Sequence, residues 1–190
     1  MGFCWKILCS QMLEVQTQYR ADVHAMVLMP NHFHILLTTP NSDVDKIMKK
    51  FMESTTRIIN AKAGRIGHLY GGRYHWSLIE DPIYFAHTYK YVLRNPVKAK
   101  LCQNVESYKF SSIFAGEVNT DNKPGPFNLL PPILEFHDVL PSEKHALLKW
   151  LNSPYRDFDS DEILNALKKS KFEFRVDRVT RKLPWMAEQI

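Results

Sequence analysis

The sequence predicts an α+β protein, an antiparallel sheet with helices packed on it. Three observations carry this. Helix-like and strand-like patterns interleave from Phe3 to Arg94 in the order helix, strand, strand, helix, strand, helix. The first two strand patterns are separated only by a Pro30-Asn31 turn, too short for a crossover helix, so they pair antiparallel. Apolar residues make up 45% of the 190, enough for a buried core.

Taken in order, Phe3 to Arg20 reads as a helix, with Trp5, Ile7, Leu8, Met12 and Val15 as its apolar members. Val23–Met29 and His32–Thr38 are strand patterns rich in β-branched and apolar residues. Ser42 is placed to cap the next helix, with Asp43 and Asp45 in its first turn. Val44, Ile47, Met48, Phe51, Thr55, Ile58 and Ile59 recur at three- and four-residue steps, the signature of one buried helical face, and Gly64 is a stop. Arg73–Ile79 alternates, with Tyr74, Trp76 and Leu78 on one side, which predicts a third strand. Asp81-Pro82 starts a helix, Asp81 as cap and Pro82 in the first turn. That helix is expected to end near Arg94, because Pro96 disfavours helical geometry at Asn95.

Residues 117–132 are rich in Asn, Pro and Gly and read as a linker. Helices are expected beyond it at Ser142–Leu151 and Ser160–Lys171. The predicted organisation is a core at 1–116, a linker at 117–132 and a helical, basic extension at 133–190.

Composition narrows the function. Lys168–Lys182 holds seven basic and two acidic side chains, which accounts for the whole formal charge of +5. A polyanion is the partner such a patch attracts, although a solvated helix end has the same composition. Three cysteines, Cys4, Cys9 and Cys102, form no framework and fit reduced thiols. The N-terminus lacks a secretory pattern, and no apolar run approaches membrane length.

Two local patterns carry chemistry. His32-Phe33-His34 lies on a strand, so both imidazoles project from one face and can share a metal ion. A pair of half-buried structural histidines reads the same way. On the Asp81 helix, Phe85, Tyr89 and Val92 form one stripe and Tyr84, His87, Tyr91 and Asn95 another. The first reads as core. In the second, Tyr91 and Asn95 sit one turn apart, so a phenol and an amide oxygen can reach one phosphate and one cation. A surface aromatic and a helix-end asparagine fit equally well at this level.

Longer strings add specificity. Val23-His24-Ala25-Met26-Val27-Leu28-Met29-Pro30-Asn31-His32-Phe33-His34-Ile35-Leu36-Leu37 resembles the signature of the REP-associated tyrosine transposases, relatives of the single-tyrosine insertion-sequence transposases in the HUH superfamily. Gly72-Arg73-Tyr74, Tyr91-Val92-Leu93-Arg94-Asn95-Pro96-Val97-Lys98-Ala99 and Ser107-Tyr108-Lys109-Phe110-Ser111-Ser112 resemble further elements of that family, in its order. Phe110 stands where tryptophan is usual. Members begin with a strand ahead of the first helix; here Met1 opens on the helix, so the expectation is a sheet short of that strand or completed by a second subunit.

The resemblance implies a ferredoxin-like HUH palm with a C-terminal helical extension. It implies His32 and His34 as metal ligands, Asn95 as a third ligand and Tyr91 as the nucleophile, with His87 a candidate base. Tyr89 is the rival nucleophile, on the core stripe. The implied cofactor is Mg2+ or Mn2+, whereas ligand softness alone would favour zinc or manganese. The implied activity is cleavage and rejoining of single-stranded or hairpin DNA through a 5′-phosphotyrosine link, by a monomer or homodimer in the nucleoid, with no membrane partner. Arg73, Lys98, Lys100, Lys168, Lys169, Arg175, Arg178, Arg181 and Lys182 are the expected phosphate contacts, and Tyr70, Tyr74 and Trp76 candidate stacking surfaces. Two rivals stand beside this reading: a DNA-binding relative that does not cut, and a hydrolase using the histidines and a water.

Overall fold

The computed structural model describes residues 1–115, 139–176 and 183–184. The expected linker 117–132 and residues 133–138 of the expected extension lie outside them. The fold is α+β, with a two-stranded antiparallel sheet and six α-helices among the described residues. In order these are α1 (Gly2–Tyr19), β1 (Asp22–Leu28), β2 (Phe33–Thr38), α2 (Val44–Ala63), α3 (Pro82–Lys98), a 3-10 turn (Val105–Ser107), α4 (Ser112–Ala115), α5 (Lys144–Asn152) and α6 (Asp157–Leu167).

The chain divides into two compact units that interleave in sequence. One holds Met1–Tyr74 with the segment that begins at Lys109; the other holds His75–Tyr108 with α5 and α6. In this division α3 groups with the C-terminal helices.

In the first unit, α1 and α2 contribute Trp5, Leu8, Met12, Val15, Ile47, Phe51 and Ile59 to one core with Val23 and Met26 of β1. The α2 face is the one its period forecasts. Gly64 ends α2 in the left-handed region (φ 62°), but the cap is Asp43 without a side-chain bond, and Ser42 takes a positive φ instead of capping. β1 and β2 pair with Val27 opposite His34 and Leu28 opposite Phe33, and the register shifts between Val23 and Ala25. The turn closes through Met29 N–H donating to the His32 carbonyl at 2.8 Å. The far edge of β1 is not left open. Leu28 N–H donates to the Phe110 carbonyl (2.9 Å), Met26 N–H to Ser112 Oγ (3.0 Å), and Val27 bridges Ser111. β1 is thus central and buried along most of its length. Phe110 packs edge-on to Trp5, ring centres 6.5 Å apart.

In the second unit, Asp81 caps α3 by accepting from the Ile83 and Tyr84 N–H groups. The helix does not stop near Arg94; it runs to Lys98 with Pro96 inside it. Proline removes one i→i−4 bond, yet Asn95 Nδ2 donates to the Tyr91 carbonyl (2.8 Å) and Ala99 N–H to the Asn95 carbonyl (2.9 Å). These bonds, with burial of Pro96, hold the last turn.

The strand expected at 73–79 does not form. Leu78 alone makes a bridge, to Lys171, with Leu78 N–H donating to the Ser170 carbonyl (2.9 Å) and Phe172 N–H to the Leu78 carbonyl (2.8 Å). Alternation without a strand edge to pair with yields extended chain, not sheet, and Trp76 and Leu78 are exposed. The C-terminal helices are displaced from their expected spans. α5 is capped by Glu143 rather than Ser142, and α6 ends at Leu167.

Asp81→Ala should remove both cap bonds and cost about 1 kcal/mol. Urea unfolding followed by circular dichroism should show a lower midpoint at unchanged slope; an unchanged midpoint would show that the cap is dispensable.

Candidate catalytic residues

His32 lies in the turn ahead of β2, and His34 is the second residue of the strand. Their ring centres are 4.9 Å apart and the planes nearly perpendicular, at 87°. Between them Phe33 turns the other way, onto Phe51 and Tyr70, at 5.7 Å from each ring centre. Asn31 Oδ1 is 2.7 Å from His32 Nδ1. An amide oxygen only accepts, so Nδ1 is the donor, which points Nε2 away from Asn31. Burial, followed by the neighbouring His32, pushes the His34 imidazole down to about 4, so it is neutral at pH 7. Two adjacent imidazoles, one oriented by an amide, fit a divalent cation as two of its ligands. No group of three His, Cys, Asp or Glu able to hold a metal occurs among the described residues. Further ligands would be of other types, such as an amide oxygen, water or phosphate. His24 is held elsewhere, its Nε2 2.9 Å from Thr38 Oγ1.

In the second unit, all nine residues of α3 from Phe85 to Leu93 are buried. The stripe of Tyr84, His87, Tyr91 and Asn95 is covered in part by the C-terminal segment. Tyr84 packs on Phe172 and Phe174 at 5.2 and 5.0 Å. Tyr91 is 8% exposed and clusters with Ile163, Ala166, Phe172 and Phe174. No local periodicity announces partners that lie 72 to 90 positions away.

Tyr91 also lines a cavity of about 260 Å³ with Arg94, Asn95, Lys98, Tyr155 and Ser160. Burial, then Asp161, raises the pKa of its phenol above the usual value, so the proton is tightly held. Because Asn95 spends its amide nitrogen on the Tyr91 carbonyl, Oδ1 is the atom left to accept. Tyr89 stacks on Phe85 at 6.3 Å, does not line that cavity, and is pushed up to about 12 by burial.

His87 is 1% exposed, and its Nδ1 is 2.6 Å from Tyr155 Oη. The polar neighbour fixed for this imidazole is thus Tyr155, a residue the sequence reading passed over. Lys90 and Arg94 were passed over too. Lys90, 4% exposed, donates to Ser153 Oγ at 2.8 Å and sits 4.8 and 4.6 Å from the ring centres of Trp150 and Tyr155. Arg94 Nη1 donates to the Leu151 carbonyl at 2.8 Å. A lysine between two tyrosines in the middle of the helix was the available signal.

The expected phosphate contacts are scattered. Arg73 pairs with Asp45 at 2.7 Å, and Tyr74 Oη donates to the same carboxylate. Lys98 donates to Ser160 Oγ (2.7 Å) and lies 3.9 Å from Asp161. Lys100, Lys168 and Arg175 are exposed, and Lys169 Nζ donates to the Glu173 carbonyl (2.7 Å). Arg178, Arg181 and Lys182 lie outside the described residues. Among the candidate stacking rings, Tyr70 is bonded to Thr55 Oγ1 at 2.8 Å and Trp76 is exposed. No helix among the described residues is long and apolar enough to cross a membrane.

Comparison with known proteins gives one result. The family model described as Transposase IS200 like matches residues 5–109, over half of the chain. No curated protein and no solved structure matches.

Lys90 generates a prediction about pH. Burial, then Arg94, holds its amine down to about 8, against 10.5 in the unfolded chain. Between those values the unfolded chain binds a proton that the folded one has released, so stability rises with pH across that window. Lys90→Met should gain stability relative to wild type below pH 8, with the difference shrinking toward pH 10.5. Urea unfolding of both proteins at pH 7 and pH 10 measures this; parallel curves would rule the titration out.

Proposed function

The chain belongs to the IS200-like transposase family, and from that membership we propose that it is a metal-dependent tyrosine transposase, cutting and rejoining single-stranded, hairpin-associated DNA through a 5′-phosphotyrosine intermediate. The observation that carries this reading is the cavity that Tyr91 lines together with two basic side chains, Arg94 and Lys98. Of the two tyrosines at the centre of α3, Tyr91 lines it and Tyr89 does not.

In this reading His32 and His34 would hold Mg2+ or Mn2+, which would supply positive charge to offset that developing on the phosphate. The chain's own groups do the rest. Asn31 orients the His32 ring, and burial keeps His34 neutral. Arg94 and Lys98 offer cationic hydrogen bonds to phosphate oxygens in the cavity. Tyr91 Oη forms a bond to phosphorus while the bond to the 3′-oxygen breaks, and that oxygen takes a proton from solvent water to leave as a 3′-hydroxyl. The phenol proton must depart as its oxygen attacks, because burial disfavours a free phenolate. His87 is the proposed acceptor, reached through Tyr155, to which it is bonded. One phosphodiester is exchanged for another, so bond energy is retained for rejoining. The setting proposed is the nucleoid, as monomer or homodimer.

One observation favours a second reading. Tyr91 is buried under Phe172 and Phe174, which suits a relative that binds DNA without cutting it.

Incubation with hairpin-bearing single-stranded DNA and Mn2+, followed by a denaturing gel, separates the two. A slow-migrating protein–DNA species is expected from wild type. It should be lost in Tyr91→Phe and reduced at least 100-fold in His34→Ala or after chelation, in line with the rate cost of losing a principal electrostatic stabiliser. Adduct persisting in Tyr91→Phe would refute the assignment. DNA binding with no adduct from wild type would favour the binding module.

A further inference from the structure

We propose that the loop after α2 is a DNA wedge: Ile66 inserts against the terminal base pair of a hairpin, where paired and unpaired strands meet, while Lys62 and Arg65 contact the flanking phosphates. This rests on the reading of the chain as a DNA-binding protein, but uses residues to which the chemistry above gives no part.

Ile66 is 98% exposed, whereas the next most exposed large apolar side chain among the described residues, Val176, is 49% exposed. Its presentation is built. Gly64 and Gly67 flank the tip at φ 62° and 94°, conformations that glycine adopts without the penalty other residues meet. Asn60 ties both ends of the loop. Its carbonyl accepts from Arg65 N–H at 2.9 Å, and its Nδ2 donates to the Gly67 carbonyl at 2.7 Å. A tip fixed in this way loses little freedom on binding.

The charge around the tip selects the partner. Between Glu53 and Glu80 the sequence carries Arg57, Lys62, Arg65 and Arg73 and no carboxylate. Arg73 is engaged by Asp45, while Arg57, Lys62, Arg65 and His68 are exposed. Lys62 Nζ lies 5.9 Å from the centre of the Phe3 ring, itself exposed, which adds apolar surface to the patch. A single apolar side chain with exposed basic residues near it in the chain is too small to be the centre of a stable protein–protein interface. It does match a nucleic acid, whose phosphates take the cations and whose base steps admit an aliphatic wedge.

The test uses the full chain with two fluorescein-labelled DNAs: a hairpin carrying 2-aminopurine at the foot of its stem, and an unstructured strand of the same length. Ile66→Ser should weaken hairpin binding about tenfold, as expected for losing burial of one aliphatic side chain. It should abolish the rise in 2-aminopurine fluorescence and leave the salt dependence unchanged. Arg65→Ala should weaken binding to both DNAs and lower the salt slope by about one. Hairpin affinity and fluorescence equal to wild type in Ile66→Ser would overturn the wedge alone. Failure of wild type to bind either DNA would overturn the wedge together with the DNA-binding reading. Loss of binding to phosphatidylglycerol vesicles in Ile66→Ser, with DNA binding intact, would reassign the loop to a membrane surface. A surface position exposed to this degree makes misfolding of the variant an outcome that circular dichroism readily checks.

Discussion

Helix α3 is buried from Phe85 to Leu93 without interruption, and His87 and Lys90 in that stretch find their polar partners outside the helix, whereas Thr88 Oγ1 has none among the described residues. Burying a polar or charged group without a partner costs more than a typical bond returns, so these partners matter. They come largely from one short stretch of chain. Leu151 receives Arg94, Ser153 and Tyr155 receive Lys90, Tyr155 meets His87, and Ser160 receives Lys98. The end of α5, the connection after it and the start of α6 thus act as a polar seam along the helix. This explains why α3 groups with the C-terminal helices and not with the hairpin that precedes it in sequence.

The same seam shapes the chemistry available to Tyr91. A phenol among Phe172, Phe174 and Ile163 is held in its protonated form, and a reaction that uses it must move the proton as the bond forms. The cations that line its cavity are not free-swinging. Arg94 is fixed by a backbone carbonyl and Lys98 by a serine, so both are pre-positioned rather than recruited. Pre-positioned charge is what stabilises a developing anion most effectively, because no reorganisation accompanies the reaction.

In the first unit the ordering principle is different. β1 is flanked on one side by β2 and on the other by Phe110–Ser112, so the strand opposite His34 is anchored on both edges. A rigid strand pair is what keeps two imidazoles at a fixed separation, and alternation along β2 sends Phe33 into the core while the histidines share the other side. Positive charge is likewise distributed in two places. The C-terminal run explains the net excess, whereas the acid-free stretch from Glu53 to Glu80 is invisible to a net-charge count because carboxylates elsewhere balance it.

The sequence by itself determined the elements whose cause is local. The period of Ile47, Met48, Phe51 and Ile59 specified the buried face of α2; Pro30-Asn31 specified the hairpin; Asp81-Pro82 specified the start of α3. The ordered motifs from Val23 to Ser112 pointed to the family that the match over residues 5–109 establishes. The tertiary structure alone decided that the 73–79 stretch makes no strand, that α3 continues through Pro96, that Tyr91 is covered, and that Lys90 is caged by Trp150 and Tyr155. Each of these depends on what lies opposite. Alternation, caps and periodicity record how a segment folds upon itself, whereas a strand's edge partner or a buried amine's acceptor is supplied from distant chain, and no local pattern encodes it.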